Sequence, residues 1–196
     1  MSEVFIVAGG PSLRTFDFSL LDDKKTITIN RAFIYLKNPT HVYWADKEFH
    51  RDWEPELRQH ECHRGVVQYV DDKPENIWYR QWLFDGERGI STTPGCLRHG
   101  FNSGCAAINL AVQLGYTTVY LLGYDGKPST VGNHLWPDDG KGQKPVDNPE
   151  TAFHFFGAQH GHLLKDLERL NISVVNLNVD STVSAYPKMR WEDAFA

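Results

Sequence analysis

Short apolar runs that stop abruptly at glycine or at a single polar residue recur along this chain and alternate with stretches of helical periodicity. Val4 to Ala8 is uninterrupted and ends at Gly9-Gly10-Pro11-Ser12-Leu13, the pattern of a buried strand feeding a tight turn. Lys25 to Ile29 is a second strand that stops at Asn30-Arg31, with a short helix over Ala32 to Leu36 ended by Asn38-Pro39. His41 to Ala45 is a third, closing on Asp46 and followed by a charged, aromatic helix through Phe49, Trp53 and Leu57 that Pro55 limits or kinks. Gly65 to Val70 reads as a fourth strand, and Ile77 to Phe84 as an edge strand rich in Trp and Tyr.

The clearest helix spans Ser103 to Leu114, where Ala106, Ala107, Leu110, Ala111 and Leu114 recur at helical spacing before a Gly115 stop. Thr117 to Leu122 is a nearly unbroken buried strand ending at Gly123-Tyr124-Asp125. Residues 126–149 carry hardly any apolar pattern, a length that marks a lid-like loop. A helix over Thr151 to Leu170, a strand over Ile172 to Leu177 and a tail with Tyr186 and Trp191 complete the chain. Strands alternating with helices predict an α/β fold, a Rossmann-like three-layer sandwich with a mostly parallel sheet. Residues 1–196 are expected to form a single domain without internal repeats, since 196 residues with 41% apolar content can bury one sizeable core.

The bulk charge narrows the partners. A formal net charge of −5 gives no global basic field, so duplex DNA is not favoured. Cys62, Cys96 and Cys105 are odd in number and lack CxxC spacing, which suits reduced intracellular thiols. No charged and apolar leader precedes Val4, and no run approaches the roughly 20 apolar residues of a membrane span, so a cytoplasmic protein is expected. Six Trp and eight Tyr exceed the needs of such a core, and some of these rings are expected in a ligand pocket.

The turn after the first strand is the first candidate for chemistry. Gly9 and Gly10 can take positive φ and admit a ligand to the main chain, while Pro11 and Ser12 suit a helix start whose N–H groups face an anion. An ordinary strand–helix turn has the same composition. The spacing is neither Gly-x-Gly-x-x-Gly nor a P-loop, which weighs against a dinucleotide oxidoreductase and a P-loop kinase. In a parallel sheet the strand ends at Gly9-Gly10, Asn30, Asp46 and Gly123-Tyr124-Asp125 share one edge, where ligands bind at the reversal of strand order. There Asn30 can reach a base or sugar edge, Arg31 a phosphate and Asp46 a sugar hydroxyl, although Asn30 and Asp46 would serve equally as helix caps. Asn102-Ser103-Gly104 offers a second anion or sugar contact through the same geometry that makes a helix cap.

His134, in a polar loop beside Asp138 and Asp139, is a candidate general base, with a solvated surface histidine as the plainer reading. His154, His160 and His162 lack the i, i+4 spacing of a helical metal pair, so no metal site is expected from them. Asp125, Asp138 and Asp139 could together hold a Mg²⁺ that bridges phosphates.

Taken together, the motifs Gly9-Gly10-Pro11-Ser12-Leu13, Asn30, Asn102-Ser103-Gly104 and Leu121-Leu122-Gly123-Tyr124-Asp125 resemble the bacterial CMP-sialic-acid sialyltransferases of glycosyltransferase family 42. The set is also similar to 6-hydroxymethylpterin diphosphokinase-like domains and to small phage and bacterial proteins of the same pattern. This resemblance implies a nucleotide-dependent transferase, a glycosyltransferase using a CMP- or other nucleotide-linked sugar, with no cofactor required. It implies that Gly10, Ser12, Asn30 and Ser103 surround the nucleotide, that His134 deprotonates an acceptor hydroxyl and that Tyr124 assists the leaving phosphate. The family's asparagine between the turn glycines is missing, and only one of its two tyrosines is matched. Two alternatives stay open: a diphosphokinase of the pterin type using Mg²⁺, and a non-catalytic nucleotide- or sugar-binding protein. The acceptor is not indicated, and a homo-oligomer is compatible with all three readings.

Overall fold

The computed structural model describes residues 2–66, 78–130, 132–137, 141 and 148–196. Its strands are β1 (Glu3–Val7), β2 (Thr26–Ile29), β3 (His41–Trp44), β4 (Cys62–Val66), β5 (Arg80–Gly86), β6 (Cys96–Arg98), β7 (Thr118–Leu122) and β8 (Ser173–Asn176). They form one eight-stranded sheet in the order β6-β5-β4-β3-β2-β1-β7-β8. Each neighbouring pair is parallel, so the sheet is wholly rather than mostly parallel.

Burial of both faces explains the unbroken apolar runs. On one face Val4 and Ile6 of β1, Ile27 of β2 and Val119 and Leu121 of β7 pack under α2 (Ser103–Gln113), through Ala106, Ala107, Leu110 and Ala111. On the other face Phe5 and Val7 pack with Leu13, Phe16 and Trp136, and Val42 and Trp44 pack under α1 (Lys47–Leu57). The three layers expected from the sequence are therefore present. After α1 and α2, the helices are α3 (Pro149–Gln159), α4 (Leu164–Arg169) and α5 (Trp191–Ala194).

Several local expectations need correction. The short helix after β2 is a 3₁₀ segment over Asn30–Tyr35, which Asn30 enters with φ of 50°. Only Gly65 and Val66 of the fourth predicted strand fall within β4; the rest lies outside the described residues. β5 is no edge strand, because the three-residue β6, too short for periodicity to reveal, pairs with its outer side. The single helix expected over Thr151 to Leu170 is α3 and α4 joined by a 3₁₀ turn at His160–Leu163. The three cysteines are unpaired, and burial pushes the Cys62 and Cys105 thiols up to about 12, so neither is a nucleophile at neutral pH. No described helix is long and apolar enough to cross a membrane.

At the amino ends of β3 and β4, His41, His63 and Glu61 bring three ligand-type atoms within 4.8 Å of one another. Hydrogen bonding already commits the rings. The Trp82 indole, which can only donate, reaches His63 Nδ1 at 3.0 Å, so the neutral His63 carries its proton on Nε2. That Nε2–H donates to His41 Nδ1 at 3.0 Å, leaving the His41 Nε2–H to face the Tyr116 hydroxyl at 3.5 Å. The lone pairs a metal needs are used up in this chain. Burial pushes His63 down to about 3 from an ordinary value of 6.5 and lowers His41 as well, keeping the pair neutral.

The unfolded rings take up protons below pH 6.5 while folded His63 does not until about pH 3, so stability falls as the pH drops through that window. The limiting slope is about 1.4 kcal/mol per pH unit per ring. Urea unfolding at pH 7.0 and 4.5 should therefore show a steeper acid loss in the wild type than in His63→Gln. Equal slopes would remove the buried pair as the cause.

Candidate functional site

Strand order reverses at β1. The chain moves from β1 out through β2 to β6 and returns through α2 to β7 on the other side of β1. The carboxyl ends of β1 and β7 leave the sheet side by side, and a crevice opens where such connections diverge. A cleft of about 230 Å³ lies there, lined by Ala8 to Pro11, Asn102 to Gly104, Gly123 to Lys127, Asn133, His134 and residues of α3. This is just under the ~300 Å³ at which drug-sized ligand pockets begin.

The two turns are held to each other by the main chain and by one carboxylate. Gly10 N–H donates to Gly123 O at 3.0 Å. Asp125 accepts from Ser12 N at 2.9 Å, from Ser12 Oγ and from Asn178 Nδ2 at 3.0 Å. Gly10 has φ of −64°, and Gly9 is likewise outside the positive-φ set, so the expectation of positive φ at these glycines is corrected. What requires glycine is proximity: a Cβ on Gly10 would meet Gly123 O and lie 2.6 Å from the Asp125 carboxylate, and one on Gly9 would strike the Trp136 ring. Ser12 is thereby turned toward Asp125. It lies in a short 3₁₀ helix, Pro11–Thr15, that begins at Pro11.

Part of the polar loop is strapped down over this turn. Leu135 N–H donates to Gly9 O at 2.7 Å, and Arg14 Nη2 donates to His134 O at 2.8 Å. Trp136 is buried against the turn, and the His134 ring stacks on it at 5.2 Å with a 10° interplanar angle, which brings His134 to the cleft. Asp138 and Asp139 lie outside the described residues. Asp125, the remaining candidate for Mg²⁺, already accepts three hydrogen bonds from the protein.

The opposite wall begins at the N-terminus of α2. Asn102 is its cap, accepting from Cys105 N at 2.8 Å, which leaves the Ser103 and Gly104 N–H groups without intrahelical partners and on the cleft wall. Gly104 has no room for a side chain: a Cβ would lie 2.9 Å from the Tyr124 ring, whose hydroxyl donates to Gly104 O at 3.1 Å. Burial holds the Tyr124 phenol well above its usual range, so it keeps its proton.

Asn30, Arg31 and Asp46 share the carboxyl edge but do not line the cleft. Asn30 Oδ1 is buried without a hydrogen bond among the described residues, the Arg31 guanidinium lies over Trp53 at 5.0 Å, and Asp46 precedes α1 without capping it through its side chain. Conversely, the cleft includes Lys127, Asn133, Val183, the α3 residues Phe153, Phe156 and Gly157, and His160 of the 3₁₀ turn that follows, none of which were picked out as contacts from the sequence. The helical spacing of Phe153, Phe156 and His160 was the available signal, hidden because α3 is apolar on nearly every side.

No protein-family model and no curated protein sequence matches this chain. Solved structures do. The sialyltransferase CstII from Campylobacter jejuni, in complex with the substrate analogue CMP-3FNeuAc, superposes with a TM-score of 0.56 at 16% identity over 96% of this chain and 86% of that one. The fold is shared with a sialyltransferase. A second structure, CST-II in complex with trisaccharide acceptor and CMP, gives 0.57 at 16% identity and the same coverage. At that identity the likeness is one of fold, spanning nearly the whole length of both chains.

The clamp between the turns generates a prediction. Because Gly10 is extended, Gly10→Ala adds no backbone strain and tests crowding alone, and should cost about 1–3 kcal/mol in urea unfolding. A neutral result would show that β1 and β7 turns are not packed as closely as described.

Proposed function

We propose that this chain is a nucleotide-sugar-dependent glycosyltransferase that binds its donor in the cleft between the β1 and β7 turns. The observation that carries the reading is the free N-terminus of α2, with the Ser103 hydroxyl beside it, on the wall of a cleft at the reversal of strand order. Unpaired N–H groups and the positive end of an eleven-residue helix suit a phosphate. The fold shared with a sialyltransferase bound to CMP and to a CMP-linked analogue supports the choice of donor.

In this reading the donor phosphate sits on Ser103 and Gly104. His134, steadied on Trp136, takes the proton of the acceptor hydroxyl while that oxygen bonds to the anomeric carbon. The bond from that carbon to the nucleotide phosphate oxygen breaks, and its electron pair leaves with the phosphate. The protonated Tyr124 phenol is assigned to support the leaving group by turning the hydrogen it gives to Gly104 O toward the departing phosphate oxygen. Gly9, Gly10, Pro11, Ser12 and Asp125 act through the clamp that shapes the floor, and Asn30 offers an oxygen, unpartnered among the described residues, to whatever part of the ligand extends along the sheet edge.

Thermal melting with CMP, UDP, GDP and ATP tests the reading, since a ligand at a hundred times its Kd adds about 2.7 kcal/mol. The expected result is a rise with CMP that EDTA leaves unchanged, and no response to any of the four would sink the assignment. With a CMP-linked sugar, His134→Ala should lower turnover about 100-fold or more while preserving the CMP-induced shift. Ser103→Ala should weaken that shift.

A further inference from the structure

The inner wall of the cleft carries a group that the transfer scheme leaves unused. Phe153, Phe156 and His160 succeed each other at i, i+3 and i+7, one face of α3 continued into the 3₁₀ turn that follows it, and all three line the cleft with Tyr124 and Val183. His160 is only 3% exposed. Its Nδ1 lies 3.0 Å from the Tyr186 hydroxyl, and Nε2 has no hydrogen-bond partner among the described residues.

The position of the proton follows from Tyr186. That side chain is 4% exposed, burial holds its phenol well above the usual range, and His160 is its one hydrogen-bond partner among the described residues. If Nδ1 carried the imidazole proton, the phenolic hydrogen would be buried without an acceptor, a costly arrangement. The hydroxyl therefore donates to Nδ1, and the ring proton resides on Nε2. Burial pushes His160 down to about 4, so the ring is neutral at ordinary pH. The wall thus presents one fixed, uncharged donor among aromatic and aliphatic side chains, while the phosphate-type donors belong to the adjoining N-terminus of α2, whose cap Asn102 reaches Phe156 O at 3.5 Å.

We propose that His160 reads the uncharged ring of the ligand, its Nε2–H donating to a carbonyl, ring nitrogen or hydroxyl of a ring seated against Phe153, Phe156 and Tyr124. The choice of a nucleotide as that ligand rests on the reading of the cleft given above. Two rings share this chemistry, the base and the sugar, and the probes separate them. The structure gives Tyr186 the role of a positioning residue, which sets the tautomer of His160 without touching the ligand.

Calorimetric titration of CMP, cytidine, ribose 5-phosphate and inorganic phosphate into the wild type, His160→Phe and His160→Gln tests the assignment. His160→Phe should weaken CMP about tenfold, the size of one lost hydrogen bond, and leave inorganic phosphate unchanged. His160→Gln, which keeps an N–H donor, should recover most of that loss. Weakening of cytidine with ribose 5-phosphate unchanged identifies the base as the ring, and weakening of both identifies the sugar, which the two probes share. Unchanged CMP binding in His160→Phe, or an equal loss of inorganic phosphate, overturns the proposal. Long-range ¹H–¹⁵N imidazole spectra supply a readout that needs no ligand: His160 should be protonated on Nε2 in the wild type and become a tautomer mixture in Tyr186→Phe. A wild-type spectrum protonated on Nδ1 overturns the donor assignment even if CMP binds. Failure of all four probes beside an Nε2–H spectrum overturns the nucleotide reading and the ring assignment that rests on it, leaving the tautomer alone.

Discussion

The site depends on one close approach, that of the main chain after β1 to the main chain after β7. Gly10 N–H bonds to Gly123 O, and the Asp125 carboxylate reaches back across the gap to the Ser12 amide and hydroxyl. No side chain fits between the two turns. With the backbones in contact, the floor of the cleft is made of peptide groups, and the walls are set by whatever each turn leads to. On one side this is the strapped segment carrying His134 and Trp136, and on the other the N-terminus of α2.

Polar groups in this fold are divided between those that hold the scaffold and those left open to a ligand. Asp125, Ser12 and Asn102 belong to the first kind, each satisfied within the protein. The Ser103 and Gly104 amides belong to the second by the geometry of a helix start. The buried histidines make a similar division without charge. His63 and His41 are closed into a chain from Trp82 to Tyr116, whereas the chain through Tyr186 and His160 stops at a nitrogen on the cleft wall. Burial keeps His41, His63 and His160 neutral, so each ring offers one donor and one acceptor in a fixed direction.

Much of this was legible in the chain. The apolar strands at Val4, Ile27, Val42 and Val119 announce themselves because both faces of a parallel sheet are buried, and α2 does so because its apolar face and its cap are local features. β6 was not legible, since three residues carry no period, and the break between α3 and α4 was hidden by an apolar pattern that continues through it. Among the candidate site residues, Gly9, Gly10, Pro11, Asn102, Ser103, Gly104, Tyr124, Asp125 and His134 come together, while Asn30, Arg31 and Asp46 stand further along the same edge.

By itself the sequence determined the alternation of strand and helix, the parallel sheet and the turns that end its strands, because these follow from side-chain periodicity and from the local conformations of glycine, proline and cap residues. Only the tertiary structure decided which strand ends meet, since the order of strands is a choice among non-local pairings that no local pattern encodes. It also decided what the residues at those ends do. Gly10 turned out to be needed for space rather than for φ, Ser12 for the clamp rather than for an anion, and His160 acquires its single free nitrogen only because Tyr186, 26 residues on, returns to occupy the other.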